Sequence, residues 1–289
     1  MEEEKVISTQ DSLTPSATVH ELSDSVMTGK AEFSKTKMIT LAIAAGAFIA
    51  FGAQVSLTVM TGDSMMGWGF TKLIGAMTFA TGLMIVALTG AELFTGNVMM
   101  TFAVLEKKVS LLKLLRSWTI VYIANFLGSI LVAGLIFGAG MGHNGGDAVG
   151  VTAMQTAFSK INLSFGEAFF RGILCNWLVC LAIFMASTSK RVIGKIFAIF
   201  FPIMTFVASG YEHSVANMFF IPNGLLMKHF PSIVAASGMT PDQLATMTWK
   251  GFFLHNLLPV TCGNIVGAFV FVVLLFWTAY LREEHRHQH

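Results

Sequence analysis

Polar interruptions cut this chain into long apolar runs. Uncharged stretches cover residues 38–60, 73–91, 117–141 and 172–189. Two longer stretches, 196–227 and 251–281, are apolar but punctuated, the first by Glu212 and His213, the second by His255. A bilayer core takes roughly 20 residues of helix to cross. The pattern therefore predicts six crossings.

Two of those runs carry the same interruption, Gly-x-Glu-x-x-x-x-Asn. It reads Gly90-Ala-Glu92-Leu-Phe-Thr95-Gly96-Asn97, then recurs 120 residues later as Gly210-Tyr-Glu212-His213-Ser-Val-Ala-Asn217. Glycine beside a carboxylate predicts a broken helix, and irregular backbone at membrane depth survives only where protein or a water-filled cavity encloses it. Matched breaks in the second and fifth crossings point to a solute pathway. Glu92 lies 19 residues after Leu73 and His213 lies 17 after Ile196, which predicts breaks about halfway along each segment.

Composition agrees. The 289 residues are 54% hydrophobic and 12% charged, with mean hydropathy +0.69. A net charge of only +2 gives nucleic acid no purchase. Thirteen of the 18 basic residues fall on one side of the predicted membrane: Lys5, Lys30, Lys35 and Lys37, then Lys107, Lys108, Lys113 and Arg116, then Lys190, Arg191 and Lys195, and finally Arg282 and Arg286. Lys72, Lys160, Arg171, Lys228 and Lys250 face the other way. By the positive-inside rule, both termini are expected in the cytoplasm, with the chain a multi-pass protein of the bacterial cytoplasmic (inner) membrane. Three regions result: a polar cytoplasmic segment 1–35, a transmembrane channel domain 36–281 and a cytoplasmic tail 282–289. Residues 19–26 read equally as a short helix or as disordered tail. The terminal His285, His287 and His289 are expected to be solvated rather than to hold metal. Cys175, Cys180 and Cys262 all fall within spans, so no disulfide framework is expected.

The halves repeat beyond the breaks. The third crossing contains Asn125-Phe-Leu-Gly128 and the sixth contains Asn264-Ile-Val-Gly267. With three crossings in each half, the second half must enter from the opposite face. This is the inverted 3+3 architecture of many transporters, with the site near the midplane between halves. The fold expected is all-α. Many of the 27 glycines read as devices for close helix packing.

Chemistry concentrates at the breaks. A half-helix ending inside the membrane leaves free N–H groups that can hold an anion. Residues 92–97 read as an ordered loop with Thr95 as a hydroxyl donor, and His213 is expected to open the second half-helix. His213 is the leading candidate, because imidazole donates a hydrogen bond when neutral and titrates near physiological pH. Glu92 and Glu212 are expected to cap the freed backbone. Phe79, Leu83, Leu93, Phe94 and Phe206 flank the breaks and suit either core packing or a dry constriction.

Four motifs, Gly90-Ala-Glu-Leu-Phe-Thr-Gly-Asn97, Cys175-Asn-Trp-Leu-Val-Cys180, Ala208-Ser-Gly-Tyr-Glu-His-Ser-Val-Ala-Asn-Met218 and Asn256-Leu-Leu-Pro-Val-Thr-Cys-Gly-Asn264, resemble those of the formate/nitrite transporter family. The resemblance runs from Thr36 to Leu281 and is strongest to the formate channels, although Tyr211-Glu-His-Ser-Val is similar to nitrite channels. It implies an aquaporin-like fold, a homopentamer with one pore per protomer, no cofactor, and passage of small monovalent anions, formate first, with nitrite and hydrosulfide as alternatives. His213 matches the central pore histidine and Thr95 the threonine facing it. Phe79, Leu83, Leu93 and Phe206 match constriction positions. Asn176 and Asn264 match pore-side asparagines, and Lys160 a vestibule lysine. Asn97 and Asn217, with the two glutamates, belong to the broken-helix motif.

Two other readings compete. A water or glycerol pore fits the architecture but leaves His213 and Lys160 without a purpose. A haem-bearing membrane enzyme needs paired imidazoles at suitable depth, and His255 is predicted near the membrane edge, away from His213. No nucleotide-binding motif is present.

Overall fold

The structure, a computed structural model, describes residues 12–62 and 67–282. The terminal histidines His285, His287 and His289, Lys5, Arg286 and the first eleven residues of the 1–35 segment lie outside the described residues. Among those described, the chain is helical apart from a single bridge between Ser12 and Ser189.

The amino-terminal segment is helical. Helix α1 (Pro15–Glu21) is capped by the Thr14 hydroxyl, continues through a π turn at Leu22–Val26, and leads into α2 (Met27–Ala31). Its buried side chains Val19, Leu22, Met27 and Ala31 share a core with Val98, Met99, Phe102 and Val272. Apolar burial of this kind resolves the choice between helix and disordered tail.

Three of the crossings begin at a serine cap. Helix α3 (Lys35–Met60) starts at Ser34, whose Oγ accepts from the Lys37 N–H. Helix α4 (Trp68–Thr89) follows, then the short helix α5 (Phe94–Asn97), a 3-10 turn at Val98–Met100, and α6 (Thr101–Leu105). The third crossing, α7 (Leu111–Gly138), is capped by Ser110. An amphipathic helix not foreseen in the sequence, α8 (Ala148–Ile161), then packs Val149, Ala153, Met154, Ala157 and Ile161 inward. Helix α9 (Phe165–Thr188) opens on a capping box between Ser164 and Glu167.

The fifth crossing is α10 (Val192–Ala208) followed by α11 (Ser214–Met227). Two short helices, α12 (Pro231–Ser237) and α13 (Pro241–Thr246), lead to the last crossing. That crossing runs from Trp249 to Leu281 through α14 (Trp249–Gly251) and α15 (Leu258–Ala268), joined and extended by π turns. Among the described residues, five helices are long and apolar enough to cross a membrane. Neither α10 nor α11 is, so the fifth crossing belongs to both.

The two halves pack alike. Helix α3 lies against α4 and α7, and α9 lies against α10 and α15. The half-helices then exchange sides: α11 packs on α7 and α3, while α5 packs on α9. Each half therefore completes the other. A Cβ on Gly128 would sit 2.0 Å from the Ile43 carbonyl oxygen, and one on Gly267 would sit 2.2 Å from that of Ile173. Only glycine lets these helix pairs meet backbone to backbone.

One expectation changes. The first break is not central, because α4 begins at Trp68 rather than after Lys72 and runs unbroken to Thr89. Lys72 does not end the helix, since it opens onto a cavity rather than lipid. Both ends of the described chain share one face, where α1 packs on the Trp277–Leu281 turn and the Leu13 N–H reaches the Thr188 carbonyl. This is the terminal face below; the other is the far face.

Candidate functional site

At the first break α4 ends on Gly90, whose φ of 70° lies in the left-handed region that glycine tolerates. The chain then runs extended until Phe94. Its freed amides are satisfied from neighbouring helices. Glu92 N–H donates to the Leu41 carbonyl at 3.2 Å, and Phe94 N–H donates to Asn125 Oδ1 at 2.9 Å. Asn125 Nδ2 in turn donates to the Ala42 and Glu92 carbonyls at 2.7 and 2.9 Å. The Glu92 carboxylate accepts from Lys30 Nζ at 2.8 Å and from Asn97 Nδ2 at 2.7 Å. Lys30 also donates to Asn97 Oδ1 at 2.9 Å.

The second break repeats this from other residues. Gly210 has φ 74°. Glu212 N–H donates to the Arg171 carbonyl at 3.2 Å and Ser214 N–H to Asn264 Oδ1 at 2.9 Å. Asn264 Nδ2 donates to the Gly172 and Glu212 carbonyls at 2.8 and 3.0 Å. The Glu212 carboxylate accepts from Lys160 Nζ at 2.8 Å and from Asn217 Nδ2 at 2.6 Å. Asn256 completes the cluster through Asn217 Nδ2 at 2.7 Å and the Lys160 carbonyl at 3.0 Å.

The division of labour differs from a simple cap. The freed backbone amides go to asparagine oxygens or to carbonyls of neighbouring helices, whereas each carboxylate meets a lysine and an asparagine side chain. A buried carboxylate is costly without a counter-ion, and a lysine in reach satisfies it better than amides alone.

The breaks meet at His213 and Thr95. His213 caps α11, its Nδ1 accepting from the Ala216 N–H at 3.0 Å. A backbone N–H can only donate, so Nδ1 holds a lone pair and the neutral ring carries its proton on Nε2. Nε2 therefore donates to Thr95 Oγ1, 2.9 Å away. Thr95 is held in turn by Asn176 Nδ2 and Cys180 Sγ, which both reach its carbonyl, at 3.2 and 3.4 Å. Asn176 and Asn264 are wholly buried, and their amide groups are spent on the backbone around the two breaks.

Cavities approach this contact from both faces. The terminal-face cavity, about 310 Å³, is lined by Lys30, Leu83, Glu92, Leu93 and Asn97 among others. The far-face cavity, about 180 Å³, is lined by Phe79, Lys160, Phe206, Glu212, His213 and Phe220 among others. Phe79 stands edge-on to Phe206 at 5.7 Å and stacks on Phe220 at 6.1 Å, and Phe206 lies 6.0 Å from the His213 ring. The four residues matched to a constriction thus divide, Leu83 and Leu93 toward one cavity, Phe79 and Phe206 toward the other. No cluster of metal-ligating side chains occurs among the described residues.

Several participants escaped the sequence. In the sequence Lys30 is only an orienting charge, and nothing local ties it to Glu92, 62 residues on. Phe220, Lys72 and Arg171 also line the far-face cavity. Asn125 was visible as half of the repeated Asn-x-x-Gly pair. Matching it to Asn264 was the signal that both serve the breaks.

Comparison with known proteins now adds to this geometry. The family model described as formate/nitrite transporter matches residues 17–278. The chain belongs to the formate/nitrite transporter family. Among members of this family, a probable formate transporter of Methanothermobacter thermautotrophicus is 40% identical over 264 residues, 86% of this chain and 90% of its relative. The formate channel FocA of Escherichia coli K12 is 37% identical, covering 89% and 91%. A solved pentameric formate channel with formate bound superposes with TM-score 0.78 at 37% identity, over 86% of this chain and 98% of the other. A second solved family member, an ion channel, gives TM-score 0.77 at 29% identity, over 91% and 98%. This transporter-family member is a multi-pass membrane protein with six crossings and two breaks.

Proposed function

We propose that this protein is a channel for small monovalent anions, formate foremost, with nitrite and hydrosulfide as candidate alternatives. The reading places it in the cytoplasmic membrane with both termini inside, assembled as a homopentamer whose protomers each hold a pore. Support for formate and for five-fold assembly comes from the solved relative with formate bound; support for orientation comes from the charge distribution. The observation that carries the mechanism is the His213–Thr95 hydrogen bond standing between two cavities.

An anion entering from the far face meets Lys160, then a neck of Phe79 and Phe206. Bare charge is costly there, since hydrocarbon offers no hydrogen bonds. The Nε2–H of His213 supplies one, taking the anion in place of Thr95 Oγ1. Protonating Nδ1 as well would forfeit the cap on Ala216, so the neutral ring is the resting donor. The neutral ring lends this hydrogen bond without giving up its proton, so any proton that travels with the permeant comes from solution; Thr95 on the opposite wall receives the anion next. Leu83 and Leu93 keep the second half of the path dry.

Flux into proteoliposomes, comparing formate, nitrite and hydrosulfide across external pH, tests this. His213→Phe should abolish most formate flux and flatten its pH profile, while His213→Asn, still a donor, should retain part of it. An unchanged profile in His213→Phe would sink the donor role. Glycerol flux without formate flux would overturn the anion reading altogether.

A further inference from the structure

The two lysines at the breaks commit their N–H groups differently, although the repeat sets them the same task. With the offset of 120 residues, Glu92 corresponds to Glu212, Asn97 to Asn217 and Met100 to Phe220. Lys30 donates to both members of its pair, Glu92 Oε1 at 2.8 Å and Asn97 Oδ1 at 2.9 Å. Lys160 donates to Glu212 Oε1 at 2.8 Å, and its other two N–H groups have no acceptor among the described residues. Asn217 Oδ1, the counterpart of the oxygen that Lys30 holds, is buried and has no partner.

Turning the Asn217 amide round does not repair this. The Lys160 carbonyl only accepts, so Asn256 sets Nδ2 against it, 3.0 Å away, and turns Oδ1 to Asn217. Asn217 must then donate, and its Nδ2 reaches Asn256 Oδ1 at 2.7 Å and Glu212 Oε2 at 2.6 Å. An orphaned buried acceptor is costly, so another attraction holds the ammonium elsewhere. The Phe220 ring supplies it. Lys160 Nζ stands over that ring, 5.3 Å from its centroid, within the range at which an aromatic face draws a cation. Among the described residues no ring stands over Lys30. Met100 lies in the turn on which α2 packs, and a thioether presents no aromatic face.

We propose that Phe220 is a positioning residue for the permeant anion, its ring drawing the Lys160 ammonium off Asn217 and leaving the spare N–H groups for the anion. The ring stands at the entrance of the neck, because it stacks on Phe79 at 6.1 Å and Phe79 meets Phe206. Phe220 and Lys160 both line the far-face cavity. Without the ring, the ammonium closes on Glu212 and Asn217 together, as Lys30 closes on Glu92 and Asn97. One aromatic side chain thus decides whether the second lysine is a latch or an anion donor. This assignment rests on the anion-channel reading and adds to it the residue that sets capture at one mouth.

Phe220→Met gives the second break the side chain of the first. In membrane vesicles of known orientation, formate is supplied to the far face and then to the terminal face. The variant should lose roughly threefold to tenfold in apparent affinity from the far face, the scale of one cation–π contact. Terminal-face affinity should stay unaltered. Phe220→Leu, equally ringless, should match it, and Phe220→Tyr, which keeps a ring, should stay within about twofold of wild type. Combination with Lys160→Met separates positioning from a change in the width of the neck. In that background Phe220→Met should cost nothing further, because no ammonium is left to place. An equal far-face loss with and without Lys160 would make Phe220 a wall of the neck and overturn the assignment. Unchanged affinity in both ringless variants, or equal losses on both faces, would overturn it too. A wild-type protein that carries no formate would instead refute the channel reading itself.

Discussion

The two broken crossings use the same parts and own them differently. In each, a left-handed glycine ends a helix, an asparagine of the next crossing collects a freed amide, and a glutamate pairs with a lysine. At the first break, however, Lys30 reaches both Glu92 and Asn97. At the second, Lys160 reaches Glu212 alone, and Asn217 Oδ1 stays buried without a partner. Lys30 comes from the amino-terminal segment, outside the repeat, whereas Lys160 comes from α8, packed on α11. The two breaks thus share a scaffold and a counter-ion type but draw the lysine from different parts of the chain. One lysine latches a separate piece of chain onto the channel; the other is a fixed wall with donors to spare.

The shared part of that comparison should break hardest. Asn125→Ala and Asn264→Ala each orphan a buried amide and two buried carbonyls. Each should cost about 3 kcal/mol or more, at roughly 1–3 kcal/mol for every group left unpaired. Thermal unfolding in detergent should show similar losses for the two. A large loss at one site and none at the other would mean the breaks are not equivalent.

The lysines should separate them. Lys30→Met should free α1 and α2, raising amide exchange across 15–31, and Lys160→Met should leave that segment protected. Equal exchange in both variants would remove the latch. Both substitutions strand a carboxylate, so each should also lower stability by a similar, smaller amount.

The smallest effect concerns pH. The amino-terminal segment is further tied by Asp24 to Lys108 and by Glu32 to Lys113, the latter at 2.6 Å. Burial pushes the Asp24 carboxyl up, but the Lys108 hydrogen bond and charge outweigh it and hold Asp24 below its ordinary value. A depressed carboxylate contributes stability above its unfolded value, near 4, and loses it only as pH falls through the lower folded value. Mild acid should therefore leave this contact intact. Spin-label mobility at Val26→Cys should hold steady to about pH 4 and rise below it; a rise near pH 6 would assign the anchoring to other groups.

Six crossings and both breaks were legible because their signals are local: uncharged runs of bilayer length, and a glycine placed just before a carboxylate. His213 stood out as an imidazole where hydrocarbon was due. The Lys30 contacts were not legible, since pairing across 62 residues leaves no spacing to read. Helix α8 was missed for a different reason: its apolar face is one stripe, too short and too interrupted to register as a span. Lys72 and Arg171 looked like loop charges because nothing local tells a lysine facing lipid headgroups from one lining a cavity. The off-centre first break follows from that same misreading of Lys72.

The contacts at Gly128 and Gly267 carry a mechanical consequence. Two pairs of helices touch main chain to main chain, so the frame around the path has no slack to take up by sliding or tilting. Widening the passage then falls to side chains, the Phe79 and Phe206 rings and the His213 imidazole, rather than to the main chain. Such a molecule is a stiff tube with soft bristles.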